Sequence, residues 1–193
     1  MKYILVVFFL LKSLFYLNAV GIENQIDWKS FLSRHDMVWA KMPTNYFNAP
    51  FLGNGLLGAM LYQPSGSLLR LDIGSSEVLE HRNTEARSIV DNGRLPIGYF
   101  EFASNYRIKN VEGTLNLYEA EACFRLDTYK EQTVEMNLKV LRNTDIIVLD
   151  YRPTEKLKGY WTYRPLPSVV PRQEPLKGET YLNPLPTQKV IEN

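Results

Sequence analysis

The sequence has few of the residues that build disulfides, metal sites and redox centres. It contains one cysteine, Cys123, and two histidines, His35 and His81. A single cysteine excludes an intrachain disulfide, and we expect its thiol to serve as a small apolar packing group; a catalytic thiol, the alternative, would need a nearby histidine. Two histidines without a spaced set of cysteines or carboxylates give no metal signature. We therefore predict no metal and no cofactor.

An excess of charge of either sign is also lacking. The chain carries 22 basic residues against 21 acidic residues, which leaves a formal net charge of +1. No stretch interleaves basic residues with aromatic residues, which is the pattern of a nucleic-acid-binding surface. The composition therefore argues against a nucleic-acid partner.

The sequence has no apolar run long enough to span a membrane. The run Tyr3–Leu17 follows a basic residue, is interrupted by Lys12, and precedes the small residue Ala19. It is shorter than the ~20 residues that a spanning helix needs. This pattern predicts a cleaved signal peptide over residues 1–19, a secreted or periplasmic product and no stable membrane insertion; a retained signal anchor is the alternative. No cysteine lies close enough for lipid anchoring.

Residues 20–50 are predicted to form a short helix and a lead-in loop. Within Ile26–His35, four residues follow the i, i+3, i+4, i+7 spacing of an amphipathic helix: Trp28, Phe31, Leu32 and His35. The periodicity is lost from Met37 to Phe51, where dispersed prolines and asparagines indicate a surface loop.

The sequence Pro50–Met60 introduces the sheet. Its Gly53-Asn54-Gly55 segment predicts a sharp turn, because glycine reaches positive φ at low cost and asparagine tolerates it. Leu56–Tyr62 then reads as a buried strand, and the next apolar residues alternate with Arg70 and Asp72. We expect a hairpin with its turn at residues 63–66.

Further short strands follow at regular spacing through residue 149. Ala122, Phe124 and Leu126 share one strand face, and Val134, Met136, Leu138 and Val140 share a face of the next strand. The β-branched run Ile146–Leu149 predicts a central strand. This spacing is typical of an antiparallel β-sandwich, here assigned to residues 51–193. Beyond Tyr151 the prolines become dense and the strand pattern is lost. A structureless tail of ~40 residues is hard to reconcile with a complete compact domain, so we expect a fragment of a larger gene product or the remnant of a truncated one.

Several motifs together resemble a known enzyme family. They are Trp39, the string Pro50-x-x-Gly-Asn-Gly-x-Leu-Gly-Ala-Met, and the hairpin into Leu-Arg-Leu-Asp. This combination resembles the N-terminal β domain of glycoside hydrolase family 95, the α-L-fucosidase family. The segments LPIGYF (95–100) and LNLYEA (115–120) fall where that family keeps strands of the same sheet. Residues Glu77–Arg82 depart from the family's Asn-Glu-x-x-Leu-Trp type segment, which suggests an outlying relative.

The resemblance carries expectations about fold and activity. It implies a β-sandwich of the super-sandwich type that is incomplete at its C-terminus, followed in the parent protein by a linker and an (α/α)6 barrel. In that family the catalytic acid and base lie in the barrel. We therefore expect no catalytic residue in this chain, and a missing barrel of the same gene product as its partner.

Two groups of residues are candidates for contact with a glycan. Glu80, His81 and Arg82 lie in a charged segment directly after a strand, where functional loops tend to occur, although a solvated loop with internal ion pairs is the alternative. Trp161, with Tyr160 and Tyr163, offers rings on which sugar C–H faces could stack, although these rings could equally cover the sheet.

Two hypotheses of function follow from these observations. In the first, the chain is the non-catalytic support domain of a secreted glycoside hydrolase that resembles α-L-fucosidases. In the second, it is a stand-alone carbohydrate-binding or interaction module with a sandwich fold.

Overall fold

The computed structural model describes residues 26–81, 93–168 and 170. The chain divides into two compact units between Asp36 and Met37, and each unit is described by itself. The predicted signal peptide at residues 1–19 lies outside the described residues.

The described part of the first unit contains one short helix, α1 (Trp28–Ser33). It is shorter than predicted, and it begins after Asp27, whose Oδ1 accepts a hydrogen bond from the Ser30 N–H at 3.1 Å. The rings on the predicted apolar face of the helix contact one another. The Phe31 ring centre lies 5.9 Å from that of Trp28 and 5.3 Å from that of His35. No helix residue is buried.

The second unit is built from ten described strands. They are β1 (Met37–Trp39), β2 (Phe51–Gly53), β3 (Leu57–Ser65), β4 (Leu68–Ser75), β5 (Gly98–Ser104), β6 (Ile108–Asn116), β7 (Glu121–Thr128), β8 (Thr133–Val140), β9 (Ile147–Pro153) and β10 (Gly159–Pro165). A 3-10 turn, Tyr46–Asn48, precedes β2.

The strands form two antiparallel sheets of five strands each. The first sheet has the order β1-β6-β7-β8-β9, and the second has the order β10-β5-β4-β3-β2. Apolar side chains from both sheets join one core: Leu61, Leu69, Leu71 and Phe102 from the second sheet, and Val111, Phe124, Leu126, Val134, Met136 and Leu138 from the first. The prediction of an all-β antiparallel sandwich is confirmed.

The alternation of buried and outward residues in β7 and β8 is also confirmed. Ala122, Phe124 and Leu126 are buried, whereas Cys123 lies on the opposite, outer face. Cys123 is half-buried on that outer face, because its position in the period-two pattern points it away from the core.

Two predicted loop boundaries differ from the structure. The segment after residue 36 is more than a loop, because β1 pairs with β6 and Met42 is buried in the core. The first hairpin turns at residues 66–67, and Pro64 lies within β3 at an irregularity of the pairing between Tyr62 and Ser65. A bulge is one of the few strand positions that accept proline, since proline has no N–H to pair.

Three predictions about strand placement were wrong. β9 lies at an edge of the first sheet rather than in its centre. The proline-rich tail contains a strand, β10, which pairs with β5 over seven residues, Gly159 to Pro165. β5 and β6 belong to different sheets, because the chain crosses between them at residues 105–107. The first error arises because sequence periodicity gives the faces of a strand but not its neighbours. The second follows from the density of prolines, and the third from the family resemblance.

The predicted turn at Gly53-Asn54-Gly55 connects the two sheets. Gly55 has a φ of 95°, whereas Gly53 lies in β2 without a positive φ. The Asn54 side-chain nitrogen donates to the carbonyl oxygens of Leu141 and Thr144, both at 2.9 Å, in the turn between β8 and β9. Asn54 therefore ties the β2–β3 turn of one sheet to a turn of the other.

Candidate functional site

The predicted glycan-contact residues Glu80 and His81 follow directly after an isolated β-bridge. Leu79 and Arg94 form an isolated antiparallel bridge, and the Glu80 N–H donates to the Gly93 carbonyl at 3.0 Å. Glu80 is 7% exposed, whereas His81 is exposed. Arg82, the third predicted residue, lies outside the described residues. Glu80 is thus a nearly buried carboxylate on paired backbone.

Trp161, the fourth predicted residue, lies on β10 with its ring against the core. Its ring centre is 5.2 Å from that of Phe102, and its buried Nε1 makes no hydrogen bond to any described residue. Because neighbouring residues of a strand point to opposite faces, Tyr160 projects to the other side and is 67% exposed. The Tyr163 hydroxyl donates to the Ile97 carbonyl at 2.9 Å. The three rings do not form one flat surface.

A polar cluster that the sequence did not predict lies on the outer face of the second sheet. The register places Tyr62, Arg70 and Glu101 in one cross-strand row, and Asp72 and Tyr99 in the next. The Asp72 carboxylate accepts hydrogen bonds from Arg70 Nε at 2.6 Å and from the Tyr62 hydroxyl at 3.0 Å. Both acceptor oxygens of Asp72 are therefore engaged within the cluster.

The aromatic rings complete this cluster around Arg70. Its guanidinium carbon lies 3.5 Å from the centre of the Tyr99 ring and 5.7 Å from that of Tyr62, which are cation–π distances. Burial, followed by the charge of Asp72 and the hydrogen bond to it, raises the pKa of Tyr62 well above its ordinary value. The phenol therefore remains a hydrogen-bond donor. The signal in the sequence was the alternation of Arg70 and Asp72 with leucines.

The outer face of the first sheet carries a pocket of about 280 Å³. It is lined by residues of three neighbouring strands, β6, β7 and β8: Glu112, Gly113, Thr114, Cys123, Phe124, Arg125, Glu135 and Asn137. Burial and the nearby Glu121 carboxylate raise the pKa of the Cys123 thiol more than Lys139 lowers it. The thiol is therefore protonated near neutral pH, and the lining offers carboxylates, an amide, a hydroxyl and a guanidinium.

Groups that would bind a metal do not converge in the described structure. Among residues 26–81, 93–168 and 170, no set of three or more histidine, cysteine, aspartate or glutamate side chains is placed to hold a metal ion. Within the same residues, no helix has the length and apolar character needed to cross a membrane.

No protein-family model matches the sequence, and no curated protein is significantly similar to it.

Proposed function

We propose that this chain is a non-catalytic domain of a secreted glycoside hydrolase that resembles the α-L-fucosidases, and that it supports an (α/α)6 catalytic barrel of the same gene product. The observation that carries the proposal is the role of Asn54. In the motif that prompted the resemblance, this side chain donates to Leu141 and Thr144 and accepts from the N–H groups of Leu56 and Leu57. The motif therefore serves to hold a sandwich together.

The described carboxylates fit a supporting role better than a catalytic one. Glycoside hydrolysis uses two carboxyl groups roughly 5–9.5 Å apart with access to the scissile bond and to water. Asp72 is held by Arg70 and Tyr62, and Glu101 is held by Arg164 Nε at 2.9 Å. Glu80 is nearly buried. These groups have partners that contribute to the fold.

The second candidate is a stand-alone carbohydrate-binding module, and the pocket on the outer face of the first sheet favours it. Its lining of carboxylates, amide and guanidinium matches the donors and acceptors of sugar hydroxyls. The two candidates share a glycan ligand and differ over whether a catalytic barrel accompanies the sandwich.

The length of the encoded protein distinguishes the two candidate functions. The transcript would be sequenced beyond the codon for Asn193, and the product of the producing cell would be sized with an antibody against this chain. We expect an in-frame continuation that encodes a helical barrel, and a single larger product. A stop codon directly after Asn193 would contradict the support-domain proposal and favour the module.

A further inference from the structure

The turn that ties the two sheets together contains an Asn-Gly pair, Asn54-Gly55. An asparagine followed by glycine is the pair most prone to loss of the side-chain amide, because glycine has no side chain that hinders attack by its own backbone nitrogen. The second such pair of the chain includes Asn92, which lies outside the described residues. The structure shows how the reacting groups of the first pair are placed.

The attacking group, the Gly55 N–H, lies at the surface of the turn. Gly55 is exposed, and its carbonyl oxygen accepts a hydrogen bond from the Ser76 hydroxyl at 3.2 Å. Among the described residues, the Gly55 N–H donates to no acceptor, and no atom lies within 4 Å of the position that a Cβ would take. Base in the solvent therefore reaches the proton that this nitrogen must lose before it attacks.

The group under attack, the half-buried Asn54 amide, is held by four hydrogen bonds. Nδ2 donates to two carbonyl oxygens of the β8–β9 turn at 2.9 Å, and Oδ1 accepts from the N–H groups of Leu56 and Leu57 at 2.9 and 2.8 Å. The two N–H donors would favour attack if the amide could react in place. However, bond formation moves Cγ and the Gly55 nitrogen roughly 2 Å closer than van der Waals contact. Because hydrogen bonds do not survive such a displacement, the amide must leave its partners first.

We propose that Asn54-Gly55 is a site of spontaneous deamidation that the fold holds closed, and that its modification permanently releases the β2–β3 turn from the β8–β9 turn. The deprotonated Gly55 nitrogen attacks Asn54 Cγ, an N–C bond forms, the Cγ–Nδ2 bond breaks, and Nδ2 leaves as ammonia with the proton that the backbone nitrogen lost. Water then cleaves one of the two N–C bonds of the resulting five-membered imide. The product is an aspartate, or its isomer in which the side-chain carbonyl continues the backbone.

The product carboxylate does not restore the tie between the sheets. When ionised it has no hydrogen to donate, and it would lie where Nδ2 now donates to the carbonyl oxygens of Leu141 and Thr144. Acceptors would then face acceptors in a half-buried site, which is costly. The isomer also adds a backbone carbon between Gly53 and Gly58, which pair at the ends of β2 and β3. One local opening thus becomes permanent, whichever function the chain has.

Peptide mass spectrometry of the full chain measures the modification at Asn54. The chain would be kept in mildly alkaline buffer with and without guanidinium chloride, and circular dichroism would confirm that it is folded without denaturant. We expect deamidation to be at least about tenfold slower in the folded chain, because the reaction waits for local opening. A smaller ratio, or no deamidation at Asn54 in denaturant, would overturn the proposal.

The role of the Gly55 nitrogen is tested in denaturant, where folding does not intervene. Gly55→Ala should slow deamidation at Asn54 severalfold, because the added methyl group hinders attack by the nitrogen that bears it. An unchanged rate would show that water hydrolyses the amide directly, and would overturn the proposed reaction.

A matched pair of variants tests the consequence for the fold. Asn54→Asp reproduces the direct product, and Asn48→Asp makes the same chemical change at an exposed residue of the 3-10 turn. We expect Asn54→Asp to unfold at a lower denaturant concentration than Asn48→Asp, and equal midpoints would contradict the release of the turn. If Asn54→Asp does not fold, chains deamidated in denaturant would be separated by charge from unmodified chains and diluted. Equal recovery of the native spectrum by both would likewise contradict it.

Discussion

The side-chain nitrogen of Asn54 lies 2.9 Å from the carbonyl oxygen of Leu141, although the two residues are 87 positions apart in the chain. The same nitrogen donates to Thr144, and the Oδ1 atom accepts from two N–H groups of its own turn. A single amide thus satisfies four backbone groups that belong to turns of two different sheets.

Replacing Asn54 with alanine should destabilise the sandwich by about 2–3 kcal/mol, because each lost hydrogen bond has a net value of ~0.5–1.5 kcal/mol and some of the freed groups regain water. Urea unfolding would show a lower midpoint with an unchanged slope. The control is Asn48→Ala, which should change the free energy of unfolding by less than ~0.5 kcal/mol. Equal stability of the two variants would contradict the role of Asn54.

The glycines of the turn should differ in the reason for their sensitivity. Gly55 has a φ of 95°, and no atom lies within 4 Å of the position that a Cβ would take, so Gly55→Ala should cost roughly 1 kcal/mol through backbone strain alone. At Gly53 a Cβ would lie 3.0 Å from the Leu57 carbonyl oxygen and 3.1 Å from the Phe51 ring. Gly53→Ala should therefore destabilise the fold through steric crowding rather than through backbone strain.

Gly74→Ala is the control for these glycine variants, since a Cβ there meets nothing within 4 Å and its φ is not positive. Thermal unfolding of the three variants would rank Gly74→Ala as the most stable. A Gly55→Ala chain as stable as Gly74→Ala would show that the turn does not need its left-handed residue.

Two tyrosines should respond in opposite ways to loss of the hydroxyl group. Tyr62→Phe removes a donor to the Asp72 carboxylate and should cost about 1–2 kcal/mol. The Tyr151 hydroxyl is buried without a hydrogen-bond partner among the described residues, so Tyr151→Phe should be neutral or stabilising. Chemical unfolding of both variants measures the contrast, and a larger loss at Tyr151 would contradict it.

Tyr62 should also make stability depend on alkaline pH. Its pKa is raised in the folded chain, chiefly by burial and then by Asp72, so above about pH 10 the unfolded chain loses this proton first. The folded state then binds more protons, and stability falls as pH rises above the unfolded pKa. Unfolding free energies measured between neutral pH and pH 11 should fall less steeply in Tyr62→Phe; an identical slope would contradict the assignment.

We predict that residues 1–19 are a cleaved signal peptide, which would give the product a defined mature N-terminus. Cleavage after Ala19 would make Val20 the first residue of the secreted chain. Edman sequencing or mass spectrometry of material from the producing cell would identify it. An intact Met1 on a membrane-bound product would favour the retained anchor instead.

The sequence predicted strand faces well because burial follows a local period of two. Val134, Met136 and Leu138 line the core as their spacing indicates. Strand neighbours were not predictable, since β-branched residues at Ile147 and Val148 suit an edge as well as a centre. The prolines that end β9 and β10, Pro153 and Pro165, made the segment between them look like a loop. Pairing depends on contacts that are distant in sequence.

The candidate site was less accessible to sequence reasoning than the fold. The pocket needs the register of β6, β7 and β8 before Thr114, Cys123 and Asn137 become neighbours, and no local motif marks such a row. Trp161 was singled out by residue type, but the side of β10 on which its ring lies depends on how that strand pairs with Phe102 in β5.

The central claim, that this chain supports catalysis but does not perform it, is tested most directly by assaying the purified chain against aryl α-L-fucosides, aryl α-L-galactosides and other aryl glycosides. The account predicts no release of the aryl group above the buffer blank, because the proposal places the paired carboxylates that stabilise the transition state in a separate barrel domain of the parent protein. Turnover by the chain that is abolished by Glu77→Gln, Glu80→Gln or His81→Ala would contradict the account and make the segment after β4 an active site.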